Sequence, residues 1–421
     1  MASVEQRWRR GVVGSILAMA ANQGSTLIVT WILGRALGAT LTGHFVAALA
    51  TAQALATFLL FGGGITATKW IAEWRLSRPD WATTCADQLT RRNGRILAIS
   101  ALLTPLVLGL LFPVLDRTTW LVLMLALPLG FALHTWLFSS AVLAGYERFD
   151  RIAHSAGLAA VSWIVAACFA AATDHLWVAS TLLVLGSGLQ ALAALVWAQK
   201  EVRKTPSETS WEAIRPQVHS FLMPAFLTSF LAPVAIWLAQ GWTYRGAEGE
   251  SQLALFGVAF LLRQIVMALP QNIFSASLSI LNQLRGAGDR LGFYRLLRSS
   301  LSRSLLIVLA FGGILAAFAA PVMSLWGPEF AQGAPILQVL LVAAVLEVLA
   351  QSLYQVVHAQ ARMWHSLTLV SLPWSLTLLG LAIAWIPRWG ALGTAWAYVG
   401  AWFVSFIMSG WLARRFALES S

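Results

Sequence analysis

Apolar runs of about twenty residues alternate with short polar segments along the whole chain. A bilayer core of about 30 Å takes about 20 apolar residues in a helix, so each run predicts a transmembrane helix. The runs cover residues 11–33, 45–65, 96–115, 120–144, 156–172, 177–198, 221–242, 253–273, 305–325, 336–357, 367–386 and 391–413, which makes about 12 spans. Pro105, Pro128, Pro233 and Pro270 fall inside runs and are expected to kink their helices; membrane bundles tolerate this where neighbours satisfy the freed carbonyls. Arg9-Arg10, a short apolar stretch and Ala18-Met19-Ala20 resemble a signal peptide with its cleavage site. The stretch continues to Leu33, so an uncleaved first helix is expected.

Composition agrees with the pattern. The chain has 421 residues, 58% hydrophobic and 11% charged, with a mean hydropathy of +0.73. Soluble domains carry about 25% charged residues, so lipid must be the solvent for most of this surface. The net charge of +11 does not mark a nucleic-acid binder, because its basic residues are dispersed among the loops. On the twelve-span reading one side carries 23 of the 28 Lys and Arg, and the other carries Arg35, Arg117, Arg245 and Arg388, with Arg263 inside a span. That asymmetry places both termini in the cytoplasm by the positive-inside rule.

The polar stretch Lys204-Thr205-Pro206-Ser207-Glu208 lies near the midpoint of the chain. It predicts a cytoplasmic linker, 201–220, between an N-terminal six-helix lobe, 1–200, and a C-terminal six-helix lobe, 221–421. Trp31 and Trp242, Phe45 and Phe256, and Gln53 and Gln264 match at a constant offset, and each half has a long basic loop after its second span. Two parallel repeats of six helices predict an axis along the membrane normal and a central cavity. The expected fold class is therefore an all-α polytopic membrane protein with two six-helix lobes.

Charges at bilayer depth are costly and mark function by default. Arg263 lies well inside span eight, with Gln264, Gln271 and Ser275 at helical spacing and Asn272 beside them. Glu347 lies midway along span ten, followed on the same face by Gln351, Gln355 and His358, with Tyr354 alongside. Milder stripes run along span one (Ser15, Asn22, Thr26 and Thr30, with Gln23 adjacent) and span two (Gln53, Thr57, Gly64 and Thr68). Spans one, two, eight and ten are thus candidates to line a hydrated cavity. The bland alternative is that Arg263 and Glu347 pair and lock the halves together, while Asn22, Gln23 and Gln53 bond helices to one another. His134 and His358 read as packing residues. Gly62-Gly63-Gly64 reads as close helix packing, because it lacks the Lys-Ser/Thr that completes a phosphate loop. Cys85 and Cys168 show neither metal-ligand nor disulfide spacing. Nothing in the chain has the pattern of a hydrolytic, metal or nucleotide site, so no cofactor is expected.

The first 150 residues resemble the Wzx-type polysaccharide flippases of the multidrug/oligosaccharidyl-lipid/polysaccharide exporter superfamily. Leu33-Gly34-Arg35-Ala36-Leu37-Gly38 and then Gly43-His44-Phe45 are similar to that family's turn between helices one and two. Phe61-Gly62-Gly63-Gly64-Ile65-Thr66-Ala67-Thr68-Lys69-Trp70-Ile71-Ala72-Glu73 is similar to its second-helix end, and Leu143-Ala144-Gly145-Tyr146-Glu147-Arg148-Phe149 to its fourth. The second half matches in topology more than in motif. The resemblance implies a flippase of the bacterial inner membrane. Its cargo would be an isoprenoid-pyrophosphate-linked oligosaccharide, moved outward by alternating access for cell-surface polysaccharide biosynthesis. It also implies contact with polysaccharide-assembly proteins.

The residues suit such a cargo. A guanidinium offers phosphate a planar fork of donors, which makes Arg263 the first candidate for the pyrophosphate. The amides of Gln264, Gln271, Asn22, Gln23, Gln53, Gln351 and Gln355 suit sugar hydroxyls, and Glu347 is the candidate to couple transport to a proton or sodium gradient. The nearest rival is a cation-coupled multidrug exporter, which would be expected to hold an ion-binding carboxylate in its first lobe; spans one to six have none. A polysaccharide polymerase or ligase would need a sizeable outer loop, and every outer loop here is short. A major-facilitator transporter lacks its acidic-basic signature in Thr66–Pro79, and a scaffold leaves the buried charges unexplained.

Overall fold

The computed structural model describes residues 4–111, 117–173, 176–204, 209–286, 289–358 and 363–419. The chain is helical throughout, and no strand occurs among the described residues. In chain order the helices are α1 (Val4–Leu60), α2 (Gly63–Trp74), α3 (Pro79–Leu111), α4 (Arg117–Gly145), α5 (Phe149–Thr173), α6 (Leu176–Val202) and α7 (Trp211–Tyr244). There follow α8 (Gly249–Gly286), α9 (Arg290–Ala317), the short α10 (Ala319–Met323), α11 (Ala334–His358), the single turn α12 (Met363–Ser366) and α13 (Leu372–Glu419).

Among the described residues, nine helical stretches are long and apolar enough to cross a membrane. Two of them, Ile16–Leu60 and Trp364–Arg415, have 45 and 52 residues, about twice what one crossing needs. Each contains one non-helical glycine, Gly38 (φ 76°, ψ −179°) and Gly390 (φ 51°, ψ −129°), at the place where the sequence predicts a turn between spans. Only glycine adopts such angles without strain, because a Cβ would clash with the backbone. Each long stretch is therefore a pair of spans joined at a glycine. The 33-residue α3 carries the run predicted at 96–115 as far as Leu111. The expected set of spans is accounted for in this way. Pro128, Pro233 and Pro270 lie inside α4, α7 and α8, as expected.

Packing divides the chain into two compact units, Met1–Leu33 with Ala47–Pro233, and Gly34–Val46 with Val234–Ser421. This partition differs from the predicted lobes. The turn at Gly38 goes with the second unit, and the division falls at Pro233 inside α7.

In the first unit, the ends of α2, α3, α4, α6 and α7 meet in a core of Ile71, Trp74, Cys85, Leu89, Phe138, Leu143 and Ile214. Small residues let the helices approach, as is usual in membrane bundles. A Cβ on Gly62 would lie 2.5 Å from the Leu222 carbonyl oxygen, and one on Gly145 2.7 Å from the Ile71 Cβ. Gly62, the first of the triple glycine, is thus a close-packing position, as predicted. Buried donors find partners across helices. The Trp163 indole N–H donates to Ser187 Oγ at 2.8 Å, and the Thr68 hydroxyl to the Ala141 carbonyl at 2.9 Å. His134 is fully buried, with Nδ1 3.3 Å from the Ala56 carbonyl, a packing role as expected.

The polar corner of this unit is cross-linked. Arg148 pairs with Asp150 and Glu201, Lys204 with Glu201, and Arg75 with Glu147. Thr209 donates a hydrogen bond to Asp80, which holds that carboxyl below the usual range. Lys204 and Thr209 are each held to the first unit in this way.

In the second unit, α11 packs against α8, α9 and α13. The segment around Gly43 fits onto the turn between α7 and α8. His44 Nδ1 lies 2.8 Å from the Tyr244 hydroxyl. A Cβ on Gly43 would lie only 2.0 Å from the Glu250 carbonyl oxygen, so no other residue fits there without movement.

Candidate functional site

Arg263 on α8 and Glu347 on α11 form an ion pair, each side chain 3–4% exposed. Both are deep in apolar helices, where an unpaired charge costs several kcal/mol, roughly 3 on insertion scales. The pair answers that cost because α8 and α11 pack together within one unit. The alternative in which this pair locks two halves of the chain together does not apply.

Other groups complete the surroundings. Gln351, one helical turn after Glu347, donates its amide N–H to Glu347 Oε1 at 2.9 Å. The Arg263 guanidinium carbon lies 4.8 Å from the Tyr398 ring centroid and 5.4 Å from that of Phe260. A cation over an aromatic face is stabilised by the ring quadrupole. Phe260 and Tyr398 are themselves edge-to-face at 5.6 Å, and Trp374 and Trp402 continue the cluster on α13. Arg263 Nε has no hydrogen-bond partner among the described residues. The site is a buried, charge-balanced pair held between a glutamine and two rings, with one guanidinium N–H left to bind.

The other predicted residues divide between the units. Gln355 is buried and donates to the Phe274 carbonyl on α8 at 3.1 Å, so it ties two helices together. Gln264 is half-buried on α8 and Gln271 is exposed. Asn22, Gln23 and Gln53 belong to the first unit. Asn22 Oδ1 accepts from the buried Gln190 at 3.5 Å, Gln23 is half-buried and Gln53 is exposed. The side chains of Ser15, Ser275 and His358 lie outside the described residues. The structure thus brings Arg263, Glu347 and Gln351 together within the second unit. Sequence reasoning missed Phe260, Tyr398 and Gln190. Phe260 was within reach of it, since it precedes Arg263 by one helical turn, whereas an aromatic on α13 gives no such signal.

Cations of the first unit are also placed against rings. Lys69 Nζ lies 4.2 Å from the Phe221 centroid and 4.3 Å from that of Trp70, and the Arg92 guanidinium lies 5.6 Å from Phe61. Neither Lys69 nor Arg92 has an ion-pair partner among the described residues. Burial of Arg92 works against its charge and lowers its pKa.

Comparison with solved structures decides the fold. An inward-facing multidrug resistance MATE family transporter of the MOP superfamily superposes with a TM-score of 0.76 at 16% identity, covering 98% of this chain and 99% of that one. The fold is that of the MATE and MurJ transporters. The inward closed form of the lipid II flippase MurJ gives a TM-score of 0.71 at 13% identity, covering 96% of this chain and 87% of that one. A MOP superfamily transporter from Pyrococcus furiosus, described as having a binding pocket of reverse polarity, gives 0.67 at 17% identity, over 98% and 96%. No family profile matches the sequence, and no curated protein does. The MATE-like fold carries Arg263 and Glu347 on two packed helices of its second unit.

Proposed function

We propose that this chain is a transporter of the MOP superfamily. Its proposed cargo is an isoprenoid-pyrophosphate-linked oligosaccharide, carried from the cytoplasmic to the outer leaflet of the bacterial inner membrane by alternating access. The charge balance within the spans carries this reading. Beyond the terminal turns of the described spans the one carboxylate is Glu347, and Arg263 neutralises it. The spans therefore offer a cationic drug no free counter-charge. Outside those spans Lys69 and Arg92 lie against aromatic rings with no ion-pair partner among the described residues, and within them Arg263, although paired, keeps an unused Nε–H.

In this reading Arg263 is the pyrophosphate ligand, and phosphate competes with Glu347 for its fork of donors. Gln264 and Gln271 on the helix of Arg263, and Gln351 beside Glu347, are the candidates for sugar contacts within the second unit. Glu347, once released from Arg263, takes up a coupling proton or sodium ion. The Wzx-type resemblance of the first 150 residues and the likeness to MurJ support a lipid-linked cargo. The cell-surface polysaccharide pathway and its assembly proteins rest on the Wzx-type resemblance alone.

The likeness to a MATE transporter supports a second reading, a cation-coupled exporter of small molecules. Deleting the gene and measuring lipid-linked oligosaccharide in each leaflet with an impermeant probe separates the two. The flippase reading expects accumulation on the cytoplasmic side, reversed by the wild type. Normal delivery to the outer leaflet, with no second transporter responsible, refutes it.

A further inference from the structure

A cavity of about 640 Å³ lies within the second unit, lined among others by Trp242, Arg245, Gln252, Arg388, Trp389 and Gly390. It forms where the turn after α7 meets the glycine break in α13. Two hydrogen bonds fix these turns to each other. Gln252 Oε1 accepts the Ala391 N–H at 3.1 Å, and the Thr243 and Thr394 hydroxyls are 2.6 Å apart and buried. A Cβ at position 390 would lie 2.9 Å from that same Gln252 oxygen, so the glycine allows the two turns to close on each other. The cavity is a built feature of the fold, and its volume falls within the range of small-ligand sites, roughly 300–1,000 Å³.

Its charge is unusual for its position. On the twelve-span reading of the sequence only four arginines fall on the outer side, and two of them, Arg245 and Arg388, line this one cavity. Glu248 and Glu250 are close in sequence, yet neither arginine makes an ion pair among the described residues. Two like charges on one cavity repel each other, and an anion held between them removes that repulsion. Guanidinium groups present planar pairs of donors that match phosphate and carboxylate oxygens. The indoles of Trp242 and Trp389 add apolar ring faces, and Trp389 is 51% exposed.

We propose that this pocket is an outer-side anion site for a ligand that presents a phosphate or carboxylate beside a flat apolar face. The apolar part that packs on the indoles is the C–H face of a sugar ring or the first acyl methylenes of a lipid. The site stands on the second unit alone and does not depend on the cargo proposed above. The anion has two possible sources, an acidic sugar of an outer-surface glycan or the headgroup of an anionic membrane lipid.

The test uses the purified full-length chain in detergent. A glucuronate-containing tetrasaccharide is titrated by calorimetry, with maltotetraose as the neutral control. Phosphatidylglycerol adducts are counted by native mass spectrometry, with phosphatidylcholine as the control. Arg245→Gln and Arg388→Gln are each expected to weaken binding of the anionic probe about tenfold, and the double variant to abolish it. Arg298→Gln on α9 should leave it unchanged. Both arginines are exposed, so unfolding temperatures of the variants should match the wild type, which separates lost binding from lost fold. Variant-sensitive binding of the acidic tetrasaccharide identifies a glycan site, and variant-sensitive phosphatidylglycerol adducts identify a headgroup site. Binding of neither anionic probe, or binding that survives in the double variant, overturns the proposal.

Discussion

Arg263 on α8 and Glu347 on α11 neutralise each other inside a single compact unit, with Gln351 bonded to the carboxylate and Tyr398 under the guanidinium. The pair is therefore a property of one unit's interior. Its energetics and its role in transport are separable by experiment.

Removing one partner leaves the other charged and buried. Arg263→Gln and Glu347→Gln should each destabilise the protein by about 3–5 kcal/mol. The double variant should lose less than the sum of the two. Thermal unfolding of the purified protein in detergent measures all three, and strictly additive losses would show that the two groups are uncoupled.

The double variant also addresses function. Without a stranded charge it should reach the membrane folded. If Arg263 binds pyrophosphate, it should still fail to restore lipid-linked oligosaccharide to the outer leaflet. Full restoration would leave the pair a structural role only.

Glu347→Gln removes the one group in the described spans, beyond their terminal turns, that can exchange a proton or bind sodium as a carboxylate. Transport by this variant should lose its dependence on external pH or on sodium. A profile identical to the wild type, at whatever rate, would take Glu347 out of the coupling step.

Burial raises the Cys85 thiol to about 12. The thiolate is the reactive form, so at pH 8 Cys85 should resist a maleimide. Reactivity should appear only as pH approaches that value, or on unfolding. In a Cys168→Ser background, rapid labelling of the native protein at pH 8 would show that the core around Ile71 and Leu143 is open.

Gly43 faces the Glu250 backbone with no room for a methyl group. Gly43→Ala should cost about 1–3 kcal/mol through overpacking. Gly24→Ala, where a Cβ meets nothing, should be neutral or slightly stabilising. Relative unfolding temperatures of the two variants check the contrast.

The spans were legible because lipid imposes one rule on every crossing segment, a long apolar run. Arg263 and Glu347 were legible for the same reason, since a charge inside such a run stands out. That they pair was one of two readings, and helical spacing along each span does not say which spans are neighbours. The Tyr398 ring was invisible because an aromatic in an apolar helix changes no pattern. The assignment of Gly34–Val46 to the second unit was hidden too. It depends on contacts with Tyr244 and Glu250, some two hundred residues further along. Gln355 reads in sequence as one more amide of the polar stripe, and its donor goes to the Phe274 carbonyl, a backbone group that carries no sequence signature.

The buried pair also has a history during synthesis. Its two members are roughly eighty residues apart, which at typical elongation rates is about 4–16 s. For that interval α8 sits in the membrane with Arg263 and no counter-charge. Its highly apolar stretch, with a mean hydropathy of 1.9, must hold it there alone. Arrival of α11 then removes the charge defect and fixes α8 in place. Chains arrested before Glu347 emerges should therefore be the ones most exposed to membrane quality control.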